Sequence, residues 1–371
     1  MSNKLDLKNE TPAFGNVLLQ EVRSINVVSL FNGMGTLRQA FHNLGIKVNN
    51  YYSSEIKTYA IKLQQYHFPD VIQVGDIRNW REWDIDWSSI DFIGSGSPCQ
   101  DLSVAGKRSG ITGEKSKLFF TFVEILEHVK KLNPNVKFLQ ENVGSASKLD
   151  VGIMSRALGV YPVRINSSLV TAQLRDRYYW TNIKTKNTMF DVVTDIPKPK
   201  DLNIKLSEII TDGFTNKDKA NCILESESRM VTSQEGLKKR YARDFITIVY
   251  LENEELRVKT NTVKGYELFT ENDCLNLSFP KSTRRRGRLT KGKAPCLLQG
   301  NEPLFVMKED KVRMLNKTEL CRLQGFPDDY CDILTRNKAA SLLGDGWTLP
   351  IIIHILSFMR LSERTGLVAK K

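Results

Sequence analysis

The sequence predicts an α/β fold in which a mostly parallel, doubly wound sheet carries a smaller inserted domain. Three observations lead to this fold class. Short apolar runs alternate with longer helical patterns through the first half of the chain, the alternation fades near Val192, and it returns close to the C-terminus. Alternating strands and helices are typical of a parallel sheet covered by helices on both faces.

The first half supplies five predicted strands and three predicted helices. The strands are Asn26–Phe31, Lys47–Ser53, Val71–Val74, Ile90–Gly94 and Val136–Leu139. The helices are Thr36–Leu44, Thr58–Tyr66 and Leu118–Leu132, and two further helices near the C-terminus are Lys317–Leu323 and Leu349–Leu361. The signals are apolar periodicity, β-branched residues in the strands, and turn or stop residues such as Asn32-Gly33 at the ends.

The middle of the chain has a different character. A connector rich in Pro and Lys, Asp195–Asp201, comes first, and the later segment Lys281–Lys293 contains seven Lys or Arg residues and no acidic residue. We therefore predict one discontinuous α/β domain, formed by residues 1–190 and 314–371, with residues 191–313 as an insertion.

The composition excludes several classes of protein. The 371 residues are 41% hydrophobic and 26% charged, the balance of a soluble globular chain. The most apolar run, Leu349–Met359, is interrupted by His354 and is shorter than the ~18 residues of a membrane span. Met1–Glu10 has no apolar segment of the signal-peptide type. The six cysteines form no CxxC pair, so we expect no disulfide scaffold, no metal site, and a reducing, cytoplasmic location.

The charge balance points to a class of partner. The chain has 54 Lys or Arg residues and 42 Asp or Glu residues, which gives a formal net charge of +12. An excess of this sign suits a polyanion such as nucleic acid, although surface lysines alone can also produce it.

Polar residues follow the predicted strands, at the edge where a parallel sheet binds its ligands. They are Asn32, Glu55, Asp76, Cys99 and Glu141. The glycines of the turn after the first strand let backbone N–H groups approach a ligand, but the pattern F-x-G-x-G lacks the third glycine of a dinucleotide-binding loop. Glu55 is placed to bind ribose hydroxyls and Asp76 an adenine amino group, whereas a lone carboxylate is more often a helix cap or a surface charge.

Cys99 is the candidate nucleophile. An arbitrary cysteine is usually a small buried apolar residue. This one follows Pro98, which restrains the backbone before it, and lies on the predicted ligand edge, where a thiolate can attack a substrate. Glu141 follows the next strand and can assist with a proton. Further on, Gln173, Arg175 and Arg177 have a period of two, which predicts one strand face suited to anions or base edges, or else a solvated salt-bridging face.

Seven motifs, in order, carry a resemblance to a known family. They are S-L-F-N-G-M-G, Ser54-Glu55, Gly75-Asp76-Ile77, G-S-P-C-Q, Glu141-Asn142-Val143, Q-L-R-D-R-Y and R-L-Q-G-F-P at Arg322–Pro327. With this order and spacing, the chain resembles the C5-cytosine DNA methyltransferases. Ser97–Ser103, Arg175–Trp180 and Gly346–Pro350 resemble the animal-type de novo branch and its prokaryotic or phage relatives.

The resemblance implies a Rossmann-like, S-adenosylmethionine-dependent methyltransferase domain with an inserted target-recognition domain, residues 191–313. It implies methyl transfer to carbon 5 of a cytosine flipped out of duplex DNA, with S-adenosylhomocysteine as the other product. Cys99 would add to ring carbon 6, and Glu141 would bond ring nitrogen 3 and the exocyclic amine. Arg175 would hold the base oxygen, with Arg177 supporting it.

The resemblance also implies further contacts. Cofactor contacts would come from Phe31, Asn32, Gly33, Met34, Thr36, Glu55, Ile56, Asp76, Ile77, Pro98, Leu118, Asp345, Gly346 and Trp347. Substrate contacts would come from Ser97, Gln100, Asn142, Gln173, Arg284, Arg285, Arg286 and Arg288. The basic segment would contact phosphates, unless it is only a solvated loop. Many family members carry G-N-S-V where this chain has Gly344-Asp345-Gly346-Trp347, and the tryptophan matches the animal-type branch.

We expect a monomeric DNA methyltransferase that acts in restriction-modification, beside a cognate endonuclease, or in phage self-protection. A tRNA-directed relative is one alternative, but that branch usually has two prolines where this chain has Ser97-Pro98, and the insertion is long. A non-enzymatic DNA-binding regulator is another, although it would have no need of Cys99, Asp76, Glu141 or Arg175.

Overall fold

The architecture is taken from a computed structural model of the chain. The structure describes residues 24–97, 117–209, 211, 249–252, 255–260, 262–268, 273–275, 289–291, 294–295, 305–308 and 311–359. Its centre is a seven-stranded sheet, and helices cover both faces of that sheet.

The central sheet is parallel except for one strand. The strands of the first half are β1 Ile25–Leu30, β2 Val48–Ser54, β3 Val71–Gln73, β4 Phe92–Ser95, β5 Lys137–Val143, β6 Val163–Asn166, β7 Gln173–Leu174 and β8 Asp176–Thr181. The order in the sheet is β3-β2-β1-β4-β5-β8-β6. The pairs among β3, β2, β1, β4 and β5 are parallel, and β8 is antiparallel to both β5 and β6. The carboxyl ends of five strands therefore share one edge.

Seven helices are described. They are α1 Thr36–Asn43, α2 Thr58–His67, α3 Lys117–Leu132, α4 Lys148–Leu158, α5 Lys317–Gln324, α6 Arg336–Asp345 and α7 Leu349–Leu356. Short 3₁₀ helices span Ile77–Glu82, Trp87–Ser89, Ser167–Leu169 and Leu206–Glu208. Local sequence fixes several ends: Asn316 and Glu319 form a capping box at the start of α5, and Gly325 ends that helix in the left-handed region.

Two buried apolar clusters cover the two faces of the sheet. Successive side chains of a strand point to opposite faces, and accordingly Val27 belongs to one cluster and its neighbour Val28 to the other. The first cluster takes in α1, α2 and the C-terminal helices α5 to α7, and the second takes in α3 and α4. The C-terminal part of the chain thus completes one face of a sheet built from the N-terminal half.

The C-terminal helices also pass a length and hydropathy test for a membrane span. Within the part of the chain that the structure describes, Arg336–Leu356 is the one stretch that does so. Of its most apolar 18-residue segment, 61% is buried inside the protein. The stretch is divided at Gly346, where α6 ends in an extended conformation before α7 begins. Its apolar residues pack in the first cluster.

Short strands make up the described parts of the middle of the chain. They are β9 Thr185–Asn187, β10 Val192–Thr194, β11 Val249–Glu252, β12 Glu255–Lys259, β13 Tyr266–Leu268, β14 Asp273–Leu275, β15 Leu289–Lys291, β16 Ala294–Pro295, β17 Phe305–Lys308 and β18 Lys311–Met314. Ile196 and Ile209 are buried in the first core cluster, so the chain stays on the main core beyond residue 191. The domain boundaries at 190 and 314 stay a prediction.

The structure confirms the five predicted strands and three predicted helices of the first half, with small shifts of their ends. The main correction concerns the fifth strand. Gln140, Glu141 and Asn142, expected to follow it, lie within β5, because β8 pairs with this stretch and extends it to Val143. The C-terminal helix predicted to run to Leu361 ends at Leu356.

The packing of α7 against α1 can be tested with two neighbouring isoleucines of the same helix. Ile352 is fully buried in the core, whereas Ile353 is half-buried. We expect Ile352→Ala to lower the free energy of unfolding by about 3 kcal/mol, because a cavity adds to the lost transfer energy, and Ile353→Ala to cost less than about half of that. Urea denaturation of both variants measures the difference, and equal losses would contradict this packing.

Candidate active site at the carboxyl edge of the sheet

The turn after β1 brings backbone N–H groups to the edge of the sheet. Phe31, Gly33 and Gly35 all have positive φ angles, of 54°, 56° and 84°. Such angles are strained for Phe31 but not for glycine, so the turn depends on glycine at its two tightest points. Helix α1 begins directly afterwards at Thr36, which is buried. The predicted glycine turn before a helix is therefore present, and its contact with a cofactor stays a prediction.

Asn32 holds this turn from the inside. Its side-chain oxygen accepts hydrogen bonds from the hydroxyls of Ser29 (2.7 Å) and Tyr51 (2.9 Å), and its nitrogen donates to Ser53 Oγ (3.0 Å). Burial raises the pKa of Tyr51 far above its usual value, so its hydroxyl stays a donor. The sequence predicts a cofactor contact at Asn32; the structure shows its side chain joining β1 to β2.

Glu55 organises the next part of the edge. Its Oε2 accepts the N–H of Gly33 (2.8 Å), and its Oε1 accepts the N–H groups of Ile56 and Lys57 (2.8 Å each). The carboxylate thus ties the end of β2 to the turn after β1. Ile56, beside it, is 68% exposed. An exposed isoleucine therefore lies next to a buried carboxylate at this edge.

Tyr330 and Gln64 support the turn, and the sequence reasoning missed both. The hydroxyl of Tyr330 donates to the Met34 carbonyl (2.8 Å), and Gln64 Nε2 donates to the Gly33 carbonyl (2.5 Å). Tyr330 also stacks on His67 at 4.0 Å between ring centroids. The Met34 side chain, a predicted cofactor contact, is fully buried in the core. Tyr330 lies three residues after the R-L-Q-G-F-P motif. That proximity is the one feature of the sequence that could have pointed to Tyr330.

Asp76 follows β3 at the carboxyl edge of the sheet and pairs with Arg78. Its Oδ1 accepts the Arg78 backbone N–H (2.9 Å), and both of its oxygens accept Arg78 Nε (3.0 Å each). These hydrogen bonds hold the pKa of the Asp76 carboxyl below its usual value. Ile77 is buried in the second core cluster, and Leu118 is half-buried at the start of α3. Asp76 is therefore an ionised acceptor at the predicted place.

The end of α6 and the residues that follow it lie against this edge. Asp345 forms an ion pair with Lys57 (2.7 Å). Partial burial by itself lowers the pKa of Lys57, but the ion pair with Asp345 outweighs it, and the pKa is raised. Gly346 and Trp347 follow, so the predicted cofactor residues of the C-terminal motif lie beside those of the N-terminal half.

Among the residues that the structure describes, Glu141 has two donors of different kinds. Arg177 Nε lies 2.8 Å from its Oε1, and Trp347 Nε1 donates to its Oε2 at 3.0 Å. The carboxylate is almost fully buried. A buried carboxylate needs such partners, because an unpaired charge away from water is costly. The structure thus places the predicted acid Glu141 against the predicted supporting residue Arg177.

Arg175 and Gln173 lie in a different arrangement from the one expected. The period of two predicts one strand face for Gln173, Arg175 and Arg177; the structure divides the segment between β7 and β8, because the Arg175 backbone bonds to the turn at Asn166 and Ser167. Arg175 is 2% exposed and donates to the carbonyls of Gly344 (3.0 Å) and Gly346 (2.7 Å).

Gln173 is fully buried, and its Nε2 donates to the carbonyl of Leu323 (3.0 Å) in α5. This contact joins the segment after Ser167–Leu169 to the R-L-Q-G-F-P motif. The predicted contact of Gln173 with substrate stays a prediction, since the hydrogen bond described here is internal to the protein.

Ser97 is the last described residue before the segment that carries Cys99. It is buried, and its hydroxyl accepts hydrogen bonds from Gln140 Nε2 (2.9 Å) and Asn142 Nδ2 (3.4 Å). Strand β4 lies beside β5, with Ser95 opposite Gln140, so the chain leaves the sheet next to Glu141. The predicted site residues outside the described part of the chain are Pro98, Cys99, Gln100, Arg284, Arg285, Arg286 and Arg288.

Comparisons with known proteins agree on one family. The model of the C-5 cytosine-specific DNA methylase family matches residues 25–359. The chain is 26% identical to the type II methyltransferase M1.ScrFI of Lactococcus lactis subsp. cremoris, over 90% of this chain and 77% of that protein. It is 24% identical to the type II methyltransferase M.DsaV of Dactylococcopsis salina, over 93% and 89%.

A solved structure has the same fold. The Entamoeba histolytica methyltransferase EhMeth superposes with a TM-score of 0.52 at 15% identity, and the match covers 91% of this chain and 98% of that one.

Glu55 accepts three backbone hydrogen bonds, so replacing it with the neutral glutamine of the same shape should lower stability. In Glu55→Gln, the amide nitrogen cannot accept, so at least one backbone N–H loses its partner. We expect a loss of about 1–3 kcal/mol in the free energy of unfolding. Thermal denaturation measures it, with Glu127→Gln as the control, because Glu127 is exposed on α3 and its surface ion pair is worth at most about 1 kcal/mol. Equal stability of the two variants would contradict the role of Glu55.

Proposed function

Because the chain belongs to the C-5 cytosine-specific DNA methylase family and is a DNA cytosine methyltransferase, we propose that Glu141 and Cys99 carry the reaction. The observation that supports this most is the Glu141 carboxylate, buried at the carboxyl edge of the sheet and held by Arg177 and Trp347. Cys99 follows Ser97, which bonds to the residues on either side of Glu141.

Glu141 has the capacity to bind the edge of a cytosine. A carboxylate offers about four acceptor positions, and two donor side chains of the described part of the chain account for two of them. The remaining positions suit the exocyclic amine of cytosine and a proton shared with ring nitrogen 3. Stabilising charge at that nitrogen while Cys99 adds to carbon 6 makes carbon 5 more nucleophilic. Once carbon 5 has taken the methyl group, transfer of its proton to water and departure of the Cys99 sulfur from carbon 6 restore the aromatic ring.

The edge formed by β1, β2 and β3 suits S-adenosylmethionine, which supplies an electrophilic methyl group when bound. The fit rests on the glycine turn with its positive φ angles, on the exposed Ile56 beside Glu55, and on the ionised Asp76. We propose that Glu55 holds the ribose, Ile56 packs on the adenine, and Asp76 accepts from its amino group. The backbone of Phe31–Gly35, the Asp345–Trp347 segment and Leu118 complete this site.

The substrate proposed here is duplex DNA. A cytosine must leave the base stack before Glu141 and Cys99 can reach it. We propose that residues 191–313 recognise the target sequence, with Arg284, Arg285, Arg286 and Arg288 on the phosphates. Since the relatives named above are type II methyltransferases, we propose a restriction-modification role, with a partner endonuclease, for a monomer in the cytoplasm.

Transfer of labelled methyl groups from S-adenosylmethionine tests this proposal. With unmethylated duplex DNA, we expect incorporation by the native chain and none by Cys99→Ala, because the sulfur is the nucleophile. Glu141→Gln should lower the rate by about 10²- to 10⁴-fold, the usual contribution of a proton-transferring side chain. Glu124→Gln is the matched control, because Glu124 is exposed on α3, and it should retain full activity.

Two outcomes would contradict the proposal. Full activity of Cys99→Ala would exclude the covalent route. Incorporation into tRNA but not into DNA, in a parallel incubation, would assign the chain to the tRNA-directed branch.

A further inference from the structure

The indole of Trp347 reaches across the molecule to Glu141, which is 206 positions away in the chain. We propose that Trp347 is a positioning residue that fixes the Glu141 carboxylate for cytosine, in addition to any contact that its backbone makes with the cofactor. This inference rests on the proposed function, because it assigns Trp347 a part in the same site.

The end of β4 is shaped to receive the indole. A Cβ atom added at Gly96 would lie 2.7 Å from Trp347 Nε1, and one added at Gly94 would lie 3.6 Å from the indole ring. Real Cβ atoms essentially never approach a neighbouring atom within 3.0 Å, so a side chain at Gly96 would force the ring to shift. Gly96 therefore allows the indole to lie against the strand end, where its N–H meets Glu141.

The backbone around Trp347 is held on both sides. On the N-terminal side, Arg175 donates to the carbonyls of Gly344 and Gly346. On the C-terminal side, the buried Thr348 donates through its hydroxyl to Gln324 Oε1 (2.9 Å) and accepts from Ser167 Oγ (2.8 Å). The indole thus projects from a fixed segment, which is what positioning of another group requires.

The two donors described on Glu141 differ in charge. Arg177 supplies a positive charge to Oε1, whereas the Trp347 indole supplies a neutral N–H to Oε2 and has no accepting or titrating atom. The terminal torsion of a glutamate side chain is broad, so a single donor leaves the carboxylate free to turn. A second donor on the other oxygen fixes its plane. Misplacement by about 1 Å can cost about 10²-fold in rate, so this constraint is expected to appear in turnover.

A positioning role and a cofactor contact predict different kinetic changes. If the indole serves Glu141, its loss lowers kcat at saturating cofactor and DNA and leaves cofactor affinity unchanged. If the side chain serves the cofactor alone, its loss weakens cofactor binding and leaves kcat at saturation unchanged.

The test compares Trp347→Phe, which keeps a ring but removes the N–H, with Trp83→Phe, which removes an indole N–H that has no hydrogen-bond partner among the described residues. Methyl transfer into unmethylated duplex DNA gives kcat and KM, and calorimetry with S-adenosylhomocysteine gives cofactor affinity. We expect Trp347→Phe to lower kcat about 10- to 100-fold, the range for losing a hydrogen bond to a charged group. Its cofactor affinity should stay at the native value, and Trp83→Phe should keep the native kcat.

Trp347→His is the second variant, because its ring retains an N–H donor. Partial recovery of kcat relative to Trp347→Phe would support the role of the hydrogen bond. Unchanged kcat in Trp347→Phe, or a loss confined to cofactor affinity, would overturn the inference. So would a Trp347→His protein that folds, as judged by circular dichroism, and is no more active than Trp347→Phe. A native chain that transfers no methyl group to DNA would overturn the proposed function itself, a result distinct from an active native chain with an equally active Trp347→Phe.

Discussion

The site depends on one buried carboxylate that has a donor on each of its two oxygens. Glu141 lies in a central strand and is almost fully buried, where an unpaired charge would be strongly destabilising. Its partners come from β8 and from the segment that joins α6 to α7. Three distant parts of the chain must therefore be in place before this carboxylate is paired and oriented. The antiparallel position of β8 is what puts Arg177 within reach, since it pairs Val143 with Arg177 and Glu141 with Tyr179.

The same C-terminal segment serves both halves of the site. Asp345 pairs with Lys57 at the proposed cofactor edge, and Trp347, two residues later, bonds to Glu141 at the proposed base edge. Tyr330 adds a third connection through the Met34 carbonyl. Because α5 to α7 also complete one face of the hydrophobic core, the elements that stabilise the fold are those that join the two edges.

How much of the fold and the site could be predicted depends on whether the signal is local in the sequence. The strands and helices of the first half follow from local periodicity, and the rule that ligands bind at strand ends located Asn32, Glu55, Asp76 and Glu141 on one edge. The break at Arg175 and the extension of β5 to Val143 depend on pairing with distant strands, which periodicity does not encode. Likewise, no local pattern shows that Trp347 bonds to Glu141 or that Asn32 is used internally, because their partners are set by tertiary packing.

The most direct measurement is covalent trapping by duplex DNA that carries 5-fluorocytosine at its cytosines. Fluorine at carbon 5 cannot leave as a proton does, so a sulfur bonded to carbon 6 stays attached after methyl transfer. With S-adenosylmethionine present, the account predicts a protein–DNA adduct that survives denaturing electrophoresis, and no adduct with Cys99→Ala. Absence of the adduct with the native chain, across a broad panel of DNA sequences, would contradict it.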